Sequence, residues 1–186
     1  TVFSMNPAGL PYAGGQAGAF VVDAATESTA VEISTYEQFA AFAKAVNAGT
    51  AESYASVKLT ADITIPAGTT WTPIGSAANP YTGVFDGDGH TVSGLTASIT
   101  AAEYNAENDS VPFGLFGQTQ GATIKNLKMS NVEISGSAGS GSGILCGRSI
   151  ATTISGCTID NSCTFNGNTA MVGGLGRMLI ESTVSD

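Results

Sequence analysis

Charge is scarce in this chain, and positive charge is scarcest. Of 186 residues 11% are charged, with 6 Lys and Arg against 15 Asp and Glu, for a formal net charge of −9. A body this acidic repels phosphate backbones, which argues against nucleic acid as a partner, and it has no basic patch for anionic lipid. No apolar run reaches the roughly 20 residues that cross a bilayer, so membrane insertion is not expected. The opening residues have neither the charged nor the apolar region of a secretion signal, and a processed exported chain reads the same way. Histidine occurs once, at His90, and cysteine three times, at Cys146, Cys157 and Cys163. An odd count excludes a complete intramolecular disulfide framework, and one distant histidine argues against a zinc site. No metal or cofactor is expected on this basis.

What is abundant is glycine, at 24 residues, and its placement is periodic. Gly114-Leu115-Phe116-Gly117 leads to Ile124-Lys125-Asn126-Leu127-Lys128-Met129. Gly143-Ile144-Leu145-Cys146-Gly147 leads to Ile154-Ser155-Gly156-Cys157-Thr158-Ile159. Gly173-Gly174-Leu175-Gly176 leads to Ile180-Glu181-Ser182-Thr183-Val184. Gly117 to Gly147 spans 30 residues, and Gly147 to Gly176 spans 29. A fixed period of this length marks a solenoid, in which each repeat buries its apolar face against the next. Cys146 takes the place of Phe116 and Cys157 that of Leu127, so both read as buried small apolar residues. An earlier turn of the pattern, Thr91 to Ala97, aligns Val92 with Ile124 and Ile154, and Leu95 with Leu127 and Cys157.

One helix precedes the repeats. Ser34 with Glu37, and Thr35 with Gln38, both fit the capping-box spacing. Tyr36, Phe39, Phe42, Ala43 and Val46 share one face, and Gly49 ends the segment. The spacing predicts an amphipathic helix over 35–48 that covers the first turn of the solenoid. From Val57 to Ile65 the period becomes two, as in a strand. Residues 1–33 lie outside the pattern and read as an extended arm and linker; residues 34–186 form the repeat domain. Short β-branched strands separated by turns predict an all-β fold, a right-handed single-stranded parallel β-helix with an N-terminal amphipathic capping helix.

FAAFAKAVNAG at residues 39–49, VKLTADITI at 57–65, WTPIG at 71–75 and GVFDGDGHTVSGL at 83–95 follow in order, then GLFG and ATIKNL. Over residues 34–186 the chain resembles bacterial cell-surface proteins with a pectin-lyase-like right-handed β-helix and GLUG-type repeats. The resemblance implies an exported adhesin or surface scaffold and supplies no catalytic residues. The expected function is therefore non-enzymatic: an extracellular, surface-located structural protein acting in adhesion or head-to-tail self-assembly, including as a filament subunit. The alternative is a β-helix that binds or cleaves polysaccharide. Expected partners are further copies, other surface proteins or glycans.

Asp86-Gly87-Asp88-Gly89-His90 offers two carboxylates and an imidazole, the groups of acid–base chemistry on a glycan. Asp-Gly repeats are also turn chemistry, and that reading is preferred for Asp86, Asp88 and His90. Calcium on Asp86 and Asp88 is the one cofactor the cluster suggests, although five or more oxygen ligands are not visible. Trp71 is weighed between sugar stacking and packing at a corner, with packing preferred. The longest departure from the repeat, residues 98–111, carries Glu103, Tyr104, Glu107 and Asp109 as a candidate binding surface. The run ending at Asp186 has no evident cap, so Leu179, Ile180 and Val184 form a candidate association edge. Either further repeats of a longer protein or another molecule then covers it. Phe3, Phe20, Val21 and Val22 in the arm are the candidate segment that adds to it from a neighbouring copy.

Overall fold

The computed structural model describes residues 29–99, 113–136, 141–167 and 171–186. Strand β1 (Val31–Ile33) comes first, then helix α1 (Tyr36–Asn47) and a 3₁₀ turn at Ala51–Tyr54. Strands β2 (Ser56–Leu59), β3 (Ile63–Thr64), β4 (Val84–Asp86), β5 (Thr91–Ser93), β6 (Thr96–Ile99) and β7 (Phe116–Gln120) follow. Next come β8 (Thr123–Lys125), β9 (Lys128–Ser130), β10 (Glu133–Gly136), β11 (Gly141–Gly143) and β12 (Cys146–Ile150). The last set is β13 (Thr153–Ser155), β14 (Thr158–Ile159), β15 (Thr164–Gly167), β16 (Met171–Gly173), β17 (Gly176–Ile180) and β18 (Thr183–Ser185).

Among the described residues the fold is all-β around one α-helix, and every strand pair is parallel. Five sheets result: β1-β2-β4-β8-β13-β18, β3-β5-β9-β14, β6-β10-β15, β11-β16 and β7-β12-β17. From β8 to β12 the chain visits each sheet once, and from β13 to β17 it visits them again in the same order. Thr123 pairs with Thr153 and Thr153 with Thr183, so the period read from glycine spacing is the strand register itself. Gly143 shows why glycine recurs: a side chain there would put its first carbon 2.8 Å from the Cα of Gly176 in the next repeat.

Identical positions stack into apolar columns. Val57, Phe85, Ile124, Ile154 and Val184 are successive partners in the first sheet. Ile63, Val92, Met129 and Ile159 are partners in the second. Val92 therefore lies over Met129, and the residue over Ile124 is Phe85, which corrects the alignment read from the sequence. The sequence placed Thr91 to Ala97 in the first sheet because the apolar spacing of one strand resembles that of the next. Leu95 likewise precedes β6, whose Thr96 pairs with Glu133, so it lies level with Val132 and not with Leu127. The alternating run from Val57 to Ile65 also divides: β2 and β3 lie in different sheets, with a corner between them. Val31–Ile33, assigned by sequence to the arm, pairs with Val57–Leu59 and belongs to the first sheet.

The helix closes one end of the core. Thr35 is its N-cap: its hydroxyl accepts from the Gln38 amide at 3.3 Å, and Gln38 Oε1 accepts from the Thr35 amide at 3.2 Å. Its buried face presents Phe39, Phe42, Ala43 and Val46. Phe39 stacks on Trp71 with centroids 5.5 Å apart, and Phe42 stacks on Phe85 at 5.9 Å. Trp71 is buried and its indole N–H donates to the Leu115 carbonyl at 3.3 Å, so it packs as the sequence suggested.

Candidate functional site

The Asp86–His90 cluster sits where the first sheet turns toward the second. The outward positions of the first sheet place Glu32, Lys58, Asp86 and Lys125 on successive rungs. Charge alternates at each step, and parallel strands stack such groups roughly 4.8 Å apart. Lys125 Nζ lies 3.1 Å from Asp86 Oδ2, and Lys58 Nζ lies 3.0 Å from Asp88 Oδ2. Asp86 Oδ1 accepts from the Asp88 amide at 2.9 Å and from Asn126 Nδ2 at 3.0 Å. His90 Nδ1 faces Asp62 Oδ1 at 3.3 Å, and that oxygen also accepts from the Thr91 amide at 2.9 Å.

These contacts set the protonation of the corner. Burial pulls the Asp86 carboxyl upward, but the Asp88 amide, Asn126 and Lys125 together outweigh it and hold it below the ordinary carboxylate range. The Thr91 amide, helped by His90, lowers Asp62. The hydrogen bond to Asp88 raises Lys58. Asp86, Asp88 and His90 thus each face a different partner, and the cations at Asp86 and Asp88 are lysines. Lys58, Lys125 and Glu32 were missed as members of this cluster, because only the register of distant strands brings them together. The one available signal was their outward place in an alternating apolar pattern.

Among the described residues no group of three or more His, Cys, Asp and Glu side chains could hold a metal ion. The three cysteines are free thiols. Cys146 is fully buried between Phe116 and Gly176 on adjacent rungs, and burial pushes its thiol up to about 12. Burial also raises Cys157 and Cys163.

The final described rung differs from those below it. Val184 is 44% exposed, while its register partners Ile154, Ile124 and Phe85 are at 1% or less. Leu179 is 43% exposed, while Ser149 and Thr119 beneath it are fully buried. Ile180 is half-buried. β14, β15, β16, β17 and β18 all stand at the ends of their sheets, with a partner on one side only. The candidate residues Phe3, Phe20, Val21 and Val22 of the arm, and Glu103, Tyr104, Glu107 and Asp109 of the long insertion, lie outside the described residues.

A groove of about 460 Å³ runs between the C-terminal end of α1, the 3₁₀ turn and the segment that enters β4. Val46, Tyr54, Tyr81 and Val84 give it apolar walls; Glu52, Asn79, Thr82 and Thr123 give it polar ones. Its tyrosines fell outside the repeat pattern, so no sequence signal marked it. No protein family, curated protein or solved structure matches this chain. Among the described residues, no helix is long and apolar enough to cross a membrane.

Proposed function

We propose that the chain is the rigid body of an exported surface or structural protein, built as a right-handed single-stranded parallel β-helix with a helical cap, that associates head to tail. The observation that carries this reading is the register itself: Phe85, Ile124, Ile154 and Val184 continue one column, and each rung offers the next a parallel pairing edge. Phe85, Ile124 and Ile154 are buried in that column, and Leu179 and Val184 on the last described rung are the side chains that a further rung or a second copy would cover. Both are already more than half covered, so burying the remainder is worth about 1 kcal/mol each. Association itself costs about 4–15 kcal/mol, so backbone pairing along the open strand edges has to add to it.

The proposed donor is residues 19–22 of a second copy, where Phe20, Val21 and Val22 supply the apolar strand. Head-to-tail contacts of this kind do not close and give filaments. The resemblance to bacterial surface proteins with GLUG-type repeats supports the same class, an adhesin or scaffold. The test is sedimentation with negative-stain imaging of the whole chain, of a chain lacking residues 1–28, and of Leu179→Asp/Val184→Asp. Concentration-dependent rods in the first and single particles in the other two are expected, with unchanged circular dichroism. Single particles in all three would overturn self-association.

A further inference from the structure

We infer that the groove beside the helix binds a neutral saccharide, a site independent of self-association at the far end. Three observations lead there. First, the described lining holds no Lys, Arg or His and only one carboxylate, Glu52, on a chain of net charge −9. An anionic ligand finds no counter-charge there, and a cation finds one carboxylate alone. Second, the walls pair apolar surface with neutral hydrogen-bonding groups. Val84 is 37% exposed although it sits in a central strand, and Tyr54, tilted against Phe42 at 5.4 Å, lines the groove as well. Thr82 and Glu52 are exposed on the same walls. A sugar ring matches this division, offering C–H faces to Tyr54 and Val84 and hydroxyls to Thr82, Thr123 and Glu52. The volume lies within the roughly 300–1,000 Å³ of small-molecule pockets.

Third, Tyr81 lines the groove with its phenol buried and without a protein hydrogen-bond partner. Buried hydroxyls of this kind find a partner in most proteins. The residue beside it is Gly83, where a side-chain carbon would stand 2.8 Å from the Tyr81 oxygen and 2.6 Å from the Ala55 carbonyl. A larger residue at 83 would press on the Tyr81 phenol and on the Ala55 carbonyl.

The test is ligand-observed saturation-transfer NMR on the full chain, with cellotriose, maltotriose and chitotriose as neutral probes, trigalacturonate as the anionic probe and a hydrophobic dye as the apolar one. Transfer to at least one neutral trisaccharide is expected, weakened about tenfold or more by Val84→Lys and less by Thr82→Ala. Both substitutions are at exposed positions, and circular dichroism checks that each variant is folded. Transfer to trigalacturonate alone, to the dye alone, to none of the neutral probes, or to a neutral probe with equal strength in Val84→Lys would each overturn the proposal. Self-association measured on the same variants is unaffected in either case, so this result and the assembly result are read separately.

Discussion

The two ends of the apolar core are built from different side chains. Near α1 the core is aromatic: Phe39, Phe42, Trp71, Tyr81, Phe85 and Phe116 lie in one network of centroid distances from 5.4 to 6.2 Å. Toward β18 two of its columns lose their aromatic rings. Phe116 gives way to Cys146 and then to Gly176. Phe85 gives way to Ile124, Ile154 and Val184. Large rings fill the space where a helix crosses the strand ends, because a helix and a sheet leave wide gaps that small side chains cannot close. Between identical rungs the gap is set by strand spacing alone, and β-branched residues and cysteine suffice. One end is therefore closed by bulk, and the rest is held by the repeat of near-identical rungs.

The comparison is broken most directly at the aromatic end. Phe42→Ala removes a fully buried ring that touches Phe39, Tyr54, Tyr81 and Phe85. It should cost about 3–5 kcal/mol in urea denaturation, whereas Val184→Ala should stay within about 0.5 kcal/mol. Comparable losses at both positions would mean that the last rung is not open in solution.

A middle-sized effect is expected between the ends. Thr119 and Thr152 are buried on adjacent repeats with their hydroxyls 2.9 Å apart, and Thr152 also donates to the Ile150 carbonyl at 3.0 Å. Thr152→Ala leaves the Thr119 hydroxyl unpaired and should cost about 1–3 kcal/mol. The double variant Thr119→Val/Thr152→Val should be less damaging than the sum of the two single changes, as a double-mutant cycle would read.

Smaller, and opposite in sign, is the corner after β12. Gly121, Ala151 and Glu181 occupy equivalent corners at φ of 64°, 47° and 49°. The left-handed conformation suits glycine and costs an L-residue about 1–2 kcal/mol. Ala151→Gly should therefore raise stability by about 0.5–1 kcal/mol after the entropy cost of glycine, visible as a higher denaturation midpoint with an unchanged slope. A lower midpoint would show that Ala151 packs in a way its exposed position does not suggest.

The smallest effect belongs to the charged column. The Asp86 pKa is depressed by folding, so its contribution is fully present above the unfolded value near 3.9 and is lost as pH falls through the folded value. Lys58 is raised, so its share is present below about 10.4 and fades only as pH climbs through its folded value. Asp86→Asn should flatten the acid limb of the stability profile and leave the neutral-to-alkaline limb nearly unchanged. An acid limb that keeps its full slope in this variant would place the proton-linked stability elsewhere.

Much of this architecture could be read before any coordinates. The glycine period gave the register of β7, β12 and β17, since backbones that approach this closely tolerate no side chain at Gly143. The capping pair was legible because Thr35 and Gln38 act within one turn. The choice between Thr35–Gln38 and Ser34–Glu37 was settled by where the helix begins. The Val92 alignment failed for a physical reason: strands of three residues with one buried centre look alike, so periodicity does not tell one sheet from the next. The groove beside the helix was illegible, because its walls come from α1, the 3₁₀ turn, residues 78–84 and Gly121 with Thr123, which no local pattern links.

Composition and periodicity alone determined the class of this protein. Glycines and apolar residues at fixed intervals point to stacked parallel strands, because each repeat must bury its apolar face and pair its backbone against the next. Only the tertiary structure decided which columns align, that Glu32, Lys58, Asp86 and Lys125 alternate in sign, and that Tyr81 lies under Gly83 beside a groove. Those facts depend on which distant residues share a rung, and that follows from corner lengths and packing that are not encoded in any one stretch of chain.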